Sequence, residues 1–377
     1  LDFLMNLMHL EEILMSSVWS NRITISIFGE SHGSAIGVTI DNLPAGEYID
    51  MPEIIKFMSR RAARNKKIST SRQEPDIPTI LSGVYKDRTT GTPLCAIINN
   101  TNTHSADYSS ISKLARPGHA DYTGALRYNG FNDNRGGGHF SGRLTAPLCF
   151  AGAVCGQILE RRGIYTGAHI LSIKDVKDNR YSPLGITREH LISIRNKKFP
   201  VINDEKGEKM IETICAAKEA KDSVGGIIEC IVTGVPAGIG SPIFNGLENS
   251  ISQIMFGIPA VKGIEFGAGF DCTTLMGSEN NDEFYVNGEG HVVTKTNNHG
   301  GILGGISSGM PIICNVAFKP TPSIALQQDT VDYSAMKNEH INIKGRHDPC
   351  IVPRAVPCVE AAMNIAIMSH MLDYPNF

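Results

Sequence analysis

The chain has 377 residues, 41% of them hydrophobic and only 19% charged. That is enough apolar surface for a sizeable core, and it excludes disorder over most of the length. The balance of 35 basic against 38 acidic residues leaves a formal net charge of −3, too acidic for a dedicated nucleic-acid binder.

Residues 1–14 (LDFLMNLMHLEEIL) lack a basic leader and carry Glu11 and Glu12, so they do not read as a signal peptide. They read either as a dispensable extension ahead of Met15 or as a short helix. Residues 22–28 (RITISIF) alternate like a strand, and 36–40 give a second. Asp50-x-x-Glu53 with Pro52 between them predicts a capped helix running to about Arg64, with Ile54, Ile55 and Met58 on one face. Residues 144–162 read as a buried helix closed by Gly163. Pro147, Gly152, Gly156 and Gln157 interrupt its apolar run, and no run reaches the ~18 residues of a membrane span. Residues 177–208 are polar and read as a loop-rich excursion. An amphipathic helix is predicted over 208–221, with Met210, Ile211, Ile214 and Ala217 inward. A strand follows over 227–232. Residues 247–258 and 356–372 are further helices, the last with Ala361, Ala362 and Ala366 for close packing.

Two short echoes run through this order. Asp41-Asn-Leu-Pro-Ala-Gly46 resembles Thr233-Gly-Val-Pro-Ala-Gly238, each after a strand-like run. Gly137-Gly-His-Phe-Ser-Gly142 resembles Gly304-Gly-Ile-Ser-Ser-Gly309, each before an apolar segment. Either an ancient duplication or chance recurrence of turn residues produces such a pattern.

Nine cysteines, at 95, 149, 155, 215, 230, 272, 314, 350 and 358, form no C-x-x-C pair. Their odd number and mostly apolar surroundings fit reduced, buried thiols in a cytosolic protein, with no zinc site.

Four segments concentrate polar groups beyond what turns need. Gly29-Glu-Ser-His-Gly33 puts a histidine between glycines, as a bare turn or as a close approach to a ligand. Residues 56–72 hold seven basic residues and no acidic one. Such a run is a solvated face or, on a chain of net negative charge, a local field for a small polyanion. Arg116-Pro-Gly-His-Ala-Asp121 precedes Arg135-Gly-Gly-Gly-His-Phe-Ser-Gly-Arg143, whose glycines lead into a helix start. That arrangement is a phosphate cradle without a Walker A Lys, or a single RGG element. Gly300 to Gly309, Lys319-Pro-Thr-Pro-Ser323 and Gly345-Arg-His-Asp-Pro-Cys350 offer further anion donors and titratable groups.

Taken together and in this order, GESHG, RPGHAD, RGGG-x-x-S-x-R, GGILGGISSG, KPTPS and GRHDPC resemble chorismate synthase. The likeness spans about Met15 to Asp373, and GVPAGIG, AVKGIEFG and RAVPCVEAA share it. The resemblance implies a single catalytic domain over 15–377 with an α+β fold, helices layered between antiparallel sheets, assembled as a homotetramer in the cytoplasm. It implies a lyase of the shikimate pathway that converts 5-enolpyruvylshikimate 3-phosphate to chorismate and phosphate. The elimination involves no net redox change, yet it requires reduced FMN. Substrate and cofactor bring two phosphates and two carboxylates into one pocket, and Arg forks suit such groups.

Carried over by position, the resemblance makes His32 the acid for the departing phosphate and His119 the partner of the reduced flavin. Asp348 would assist proton removal. His139, Phe140, Ser141, Ala260, Gly304, Lys319, Pro320, Thr321, Pro322, Ser323 and Arg346 would bind the cofactor. Arg61, Lys67, Arg116 and Arg143 would bind the anions of substrate or NADP. Two positions depart from the family: His139-Phe140-Ser141 stands where Arg-Ser-Ser is frequent, and Lys67 where an arginine is frequent. The chain lacks the sizeable insertions of members that reduce flavin with NADPH, so an external flavin reductant is expected. A different FMN oxidoreductase and a non-enzymatic RNA-binding module are the competing classes. The Arg and His excess opposes the first. Net charge, a single Trp and the lack of an aromatic platform oppose the second.

Overall fold

The computed structural model describes residues 17–62, 68, 76–101, 113–343 and 347–374. The 1–14 segment, most of the basic run including Lys67, and Arg346 lie outside the described residues.

Two five-stranded antiparallel sheets enclose a pair of central helices. The first contains β1 (Val18–Ser20), β2 (Thr24–Gly29), β3 (Ala35–Asp41), β4 (Thr79–Ser82) and β5 (Leu94–Asn99), in the order β1-β2-β3-β5-β4. Ile36, Val38 and Ile40 alternate along β3 and are fully buried, the period-2 signature of one covered face. The second contains β6 (Tyr165–Ile173), β7 (Val176–Lys177), β8 (Gly226–Thr233), β9 (Val261–Phe266) and β10 (Ile312–Phe318), in the order β9-β10-β8-β6-β7. Almost all of β6 is buried, because its sheet is covered on both faces.

Seven helices are used below: α1 (Met51–Ser59), α2 (Asp121–Arg127), α3 (Thr145–Glu160), α4 (Arg188–Arg195), α5 (Asp204–Glu219), α6 (Leu247–Phe256) and α7 (Val352–Met371). Helix α3 packs on the first sheet, α7 on the second, and the two pack on each other. Both are apolar on nearly every side, as a helix buried all round must be. Their approach is set by small residues. A Cβ on Gly152 would lie 2.2 Å from the Ala361 Cα, and one on Gly156 2.5 Å from the Asn364 Nδ2. Asn364 Nδ2 donates to the Gly152 carbonyl at 3.1 Å, which satisfies its buried amide. One core cluster runs from Trp19 to Met371 through both layers.

The first echo has a structural counterpart. After β3, Asn42 and Gly46 take φ of +65° and +86°; after β8, Gly234 and Gly238 take +82° and +94°. Each turn leads to a helix (α1 or α6), then to a strand antiparallel to the one before (β5 beside β3, β10 beside β8), then to a long buried helix (α3 or α7). This shared order carries the duplication reading. The second echo has no such counterpart, since 137–142 lead into a helix and 304–309 into a strand.

Several boundaries differ from the sequence reading. Helix α1 starts as expected, with Asp50 accepting from Glu53 N at 3.2 Å, but stops at Ser59, beyond which Arg60 and Arg61 turn inward to Glu360 and Asp76. Helix α5 begins at Asp204 because Asn203 caps it, accepting from Lys206 N. The excursion over 177–208 contains helix α4, capped by Thr187. Its Leu191 and Ile194 bury in a satellite core with Tyr181, Ile231 and Ile313. Helix α7 starts at Val352 and tolerates Pro357, whose missing N–H falls in a buried second turn. Gly142–Glu160 is long and apolar enough by length and composition to cross a membrane, contrary to the expectation from its interrupted run, but 89% of it is buried in the fold. Cys272 is exposed, unlike the six fully buried cysteines.

Candidate active site

A cavity of about 790 Å³ opens between the C-terminal loops of the first half and the start of α7. Its polar lining holds Arg61, Arg116, Arg143, Lys319 and Arg354 and four histidines, 32, 119, 139 and 347, against two carboxylates, Asp76 and Asp348. On a chain of net −3, this excess of positive charge makes the cavity a trap for anions. One wall is apolar, with Trp19, Ile25, Ile27, Leu144, Leu148, Ile254 and Ile258, which suits the face of a planar ring system.

Asp76 organises the floor. Its Oδ2 takes Arg61 Nη2 and its Oδ1 takes Arg143 Nη1. All three side chains are buried. Burial alone would raise the Asp76 carboxyl, but the two guanidiniums outweigh it and hold it below the usual carboxylate range. Burial likewise opposes the Arg61 charge, and Asp76 more than restores it. Arg143 Nε also donates to Asn100 Oδ1 at 3.1 Å. Asp76 is absent from the sequence-derived site.

The RPGHAD loop is fixed by its own aspartate. Arg116 forks onto Asp121, Nε to Oδ2 at 2.6 Å and Nη2 to Oδ1 at 2.7 Å. His119 Nδ1 lies 2.7 Å from the same Oδ1. Burial pushes the Asp121 carboxyl up, but Arg116 and His119 drive it far below its ordinary value. Arg116 Nη2 also donates to the Gly136 carbonyl at 2.8 Å, joining this loop to the glycine cluster. His32 packs against that cluster. A Cβ on Gly136, which sits at φ +68°, would fall 2.3 Å from the His32 Cε1, so only glycine fits. Ser31 Oγ lies 3.0 Å from His32 Nδ1.

Residues 139–141 all line the cavity. His139 Nδ1 donates to the Gly29 carbonyl at 2.8 Å, and its Nε2 lies 2.6 Å from Ser17 Oγ. Both ring nitrogens are thus engaged by protein. Phe140 packs on α2, where a Cβ on Gly124 would meet its ring at 2.7 Å. Ser141 Oγ accepts from Arg143 N at 3.2 Å and caps the short turn ahead of α3.

Ala260, Lys319, Thr321, Pro322 and Ser323 line the opposite rim. Ala260 sits at φ +74°, a left-handed position uncommon outside glycine and a mark of a constrained site. Its carbonyl accepts from Lys319 N at 3.0 Å. Lys319 Nζ donates to the Gly118 carbonyl. Burial and neighbouring Lys262 hold its ammonium below the ordinary lysine range. Pro320 and Gly304 do not line the cavity. Gly304 and Gly305 form the two-residue turn of a hairpin (Ile302–Leu303 with Ile306–Ser307) at φ +62° and +84°, and that turn accounts for both glycines.

Asp348 reaches the cavity from the loop before α7 and accepts from Arg354 Nη1 at 2.5 Å. Arg354 Nε in turn donates to the Arg61 carbonyl at 2.9 Å. The site therefore gathers His32, His119, Asp348, Arg61, Arg116, Arg143, 139–141, Ala260, Lys319 and 321–323. It adds Asp76 and Trp19, which lie outside the motifs, and His347 and Arg354, which lie inside GRHDPC and RAVPCVEAA but were given no individual role. Asp76 had a signal in sequence: it is the next aspartate after the unbalanced basic run.

Comparison with known proteins agrees with this geometry. The family model described as chorismate synthase matches residues 23–372. A chorismate synthase of Pyrococcus abyssi is 47% identical over 350 residues, covering 93% of this chain and 96% of the relative. One of Lancefieldella parvula is 43% identical over 374 residues, covering 96% and 98%. A solved structure described as the crystal structure of chorismate synthase superposes with a TM-score of 0.72 at 28% identity, covering 94% of this chain and 92% of that one. With a fold of two antiparallel sheets around paired helices and an anion-trapping cavity built from five of its six motif regions, this chain belongs to the chorismate synthase family.

Proposed function

We propose that the protein is a lyase that converts 5-enolpyruvylshikimate 3-phosphate to chorismate and phosphate, the reaction of its family. The observation that carries this reading is the charge of the cavity: five Arg and Lys side chains and four histidines gather against two carboxylates. A substrate with one phosphate and two carboxylates requires such a field.

The residues present also fit FMN. The apolar wall beside Trp19, Ile254 and Ile258 suits the ring system, and the rim from Lys319 to Ser323 offers donors for its phosphate. Residues 139–141 and Ala260 complete that side. When bound and reduced, FMN supplies the electron density that the elimination borrows and returns.

The chain's own residues do the rest. Arg61 and Arg143, fixed by Asp76, hold substrate anions with Arg116 nearby. His32, buried in a glycine-lined turn, gives its proton to the departing phosphate. His119, held by Asp121, faces the negative charge of the reduced cofactor. Asp348, oriented by Arg354, receives the proton lost from substrate C6. Arg346 and Lys67 take anion contacts in the same reading.

Assembly as a homotetramer is supported by exposed Phe131, Phe244 and Phe270, which are 93%, 89% and 79% accessible. Nine free cysteines suit a reducing cytoplasm. Both nitrogens of His139 are engaged by protein, which weakens any NADP contact through that side chain and favours an external reductant. The domain reading, residues 15–377 as one catalytic unit with 1–14 dispensable, belongs to the same proposal.

Phosphate release from 5-enolpyruvylshikimate 3-phosphate, assayed anaerobically with FMN reduced by dithionite, tests the function. Release with reduced FMN and none with oxidised FMN is expected. Undiminished release with oxidised FMN would refute the cofactor reading. No release under either condition would refute the reaction and favour the oxidoreductase or RNA-binding class.

A further inference from the structure

Four side chains that line the cavity carry a buried polar atom with no hydrogen-bond partner among the described residues: Trp19 Nε1, Arg61 Nε, Thr321 Oγ1 and His347 Nε2. A buried polar atom left unpaired destabilises the fold, so each such atom in a native fold asks for an explanation. Two of the four, Arg61 and Thr321, belong to residues already expected to hold ligand anions. His347 was not assigned any role.

We propose that His347 is a further ligand-binding residue, whose Nε2–H donates to a phosphate or carboxylate oxygen of the bound substrate or cofactor. The proposal rests on reading the cavity as the active site. Its position supports it. His347 lies on the cavity wall, directly before Asp348, within the fields of Asp348 and of Arg116 across the site. Burial first, and the Arg116 charge second, hold its imidazole below the ordinary histidine range, with Asp348 opposing. Burial thus favours the uncharged ring. It adds a directional donor to the site without adding to the repulsion among the arginines. An arriving oxyanion offsets Arg116 and strengthens the hydrogen bond.

The orphaned atom makes a prediction that a structural histidine does not. Removing it should leave the ligand-free protein as stable as before, or more so, while weakening binding. The test compares wild type, His347→Ala and His347→Gln in the full chain. Oxidised FMN and 5-enolpyruvylshikimate 3-phosphate are titrated separately by calorimetry, and the melting temperature is measured without ligand. We expect His347→Ala to lose roughly tenfold or more in affinity for one of the two ligands, and His347→Gln, which keeps a donor, to recover most of it. The melting temperature of ligand-free His347→Ala should equal or exceed that of wild type. The ligand affected identifies whether substrate or cofactor supplies the oxygen. Affinities within two- to threefold of wild type for both ligands would overturn the proposal. So would a loss of binding that tracks a lower melting temperature in both variants. If wild type binds both ligands yet releases no phosphate, the reaction reading fails while the His347 result still stands.

Discussion

Arg61 and Arg143 share one carboxylate. They arrive from the end of α1 and the turn before α3, and Asp76 holds one guanidinium on each oxygen. Asp76→Asn would leave two buried guanidiniums facing a neutral amide. Loss of one partner from a buried ionic group costs about 3–5 kcal/mol, so we expect a clear fall in melting temperature. Added phosphate should restore part of it, because an anion bound to the native state stabilises it by mass action. An unchanged melting temperature would show that Asp76 is not the counter-charge of the pair.

The proposed function makes His32, His119 and Asp348 the proton-handling set. A general acid or base contributes typically 10²–10⁴-fold. We expect His32→Ala, His119→Ala and Asp348→Ala each to lose turnover by that order while still binding FMN and substrate. Circular dichroism and flavin titration on each variant separate lost chemistry from lost loop structure. Folded, ligand-binding variants that turn over within a few-fold of wild type would refute the assignment.

Gly136 and Gly130 allow a matched comparison. Both have left-handed backbone, at φ +68° and +78°, but a Cβ at 136 would strike the His32 ring and one at 130 would meet nothing within 4 Å. Gly130→Ala should cost only backbone strain, about 1–2 kcal/mol. Gly136→Ala should add displacement of His32 and a drop in turnover at least tenfold beyond that of Gly130→Ala. Equal activity in the two variants would separate His32 from the loop geometry.

The pH dependence of stability should come from a site remote from the cavity. His169 is fully buried, with Nε2 3.0 Å from Glu229 Oε2 and Nδ1 3.3 Å from Asp178 Oδ2. Burial opposes its imidazolium, but the two carboxylates outweigh it and raise its affinity for the proton. Its folded value therefore lies above the unfolded one. The stabilisation is complete below about pH 6.5, the unfolded value, and is lost as pH rises through the folded value. Asp178 works in the opposite sense. Burial raises its carboxyl, but His169 and the Ile202 and Asn203 amides lower it further. Its contribution is present above about pH 3.9 and is lost on acidification. Melting curves across pH should show a fall on the alkaline side that His169→Gln flattens. An identical alkaline slope in that variant would place the effect elsewhere.

A chain beginning at Met15 should keep the melting temperature and turnover of the full chain. A drop of several degrees would show that residues 1–14 pack on the fold.

What was legible in sequence was local. Asp50 capping α1, the alternation of β3 and the apolar mass of α3 each follow from neighbours a few residues apart. The glycine-flanked histidines and the arginines could be singled out because a turn does not need them. The role of Asp76 could not be read, because only packing brings Arg61 and Arg143 onto its two oxygens; Arg354 stands near Asp348 in sequence, but its second contact, the Arg61 carbonyl, comes from a distant segment. Helix α4 was missed because its apolar stripe is reduced to Leu191 and Ile194 within a polar segment. Pro353 hid the first turn of α7, where a missing N–H is tolerated. The glycines of 304 and 305 read as ligand backbone, yet a tight hairpin turn explains both.

The pseudo-repeat also bears on how such a site could arise. The cavity takes His32, Arg61 and Arg143 from one half, and Ala260, Lys319 and Asp348 from the other. It lies at the N-terminal ends of the two central helices, against Leu148 of one and Arg354 and Cys358 of the other. An ancestral single unit would have carried half of each cradle and none of the enclosure. A ligand in the cavity is therefore gripped from both sides only when both halves are present.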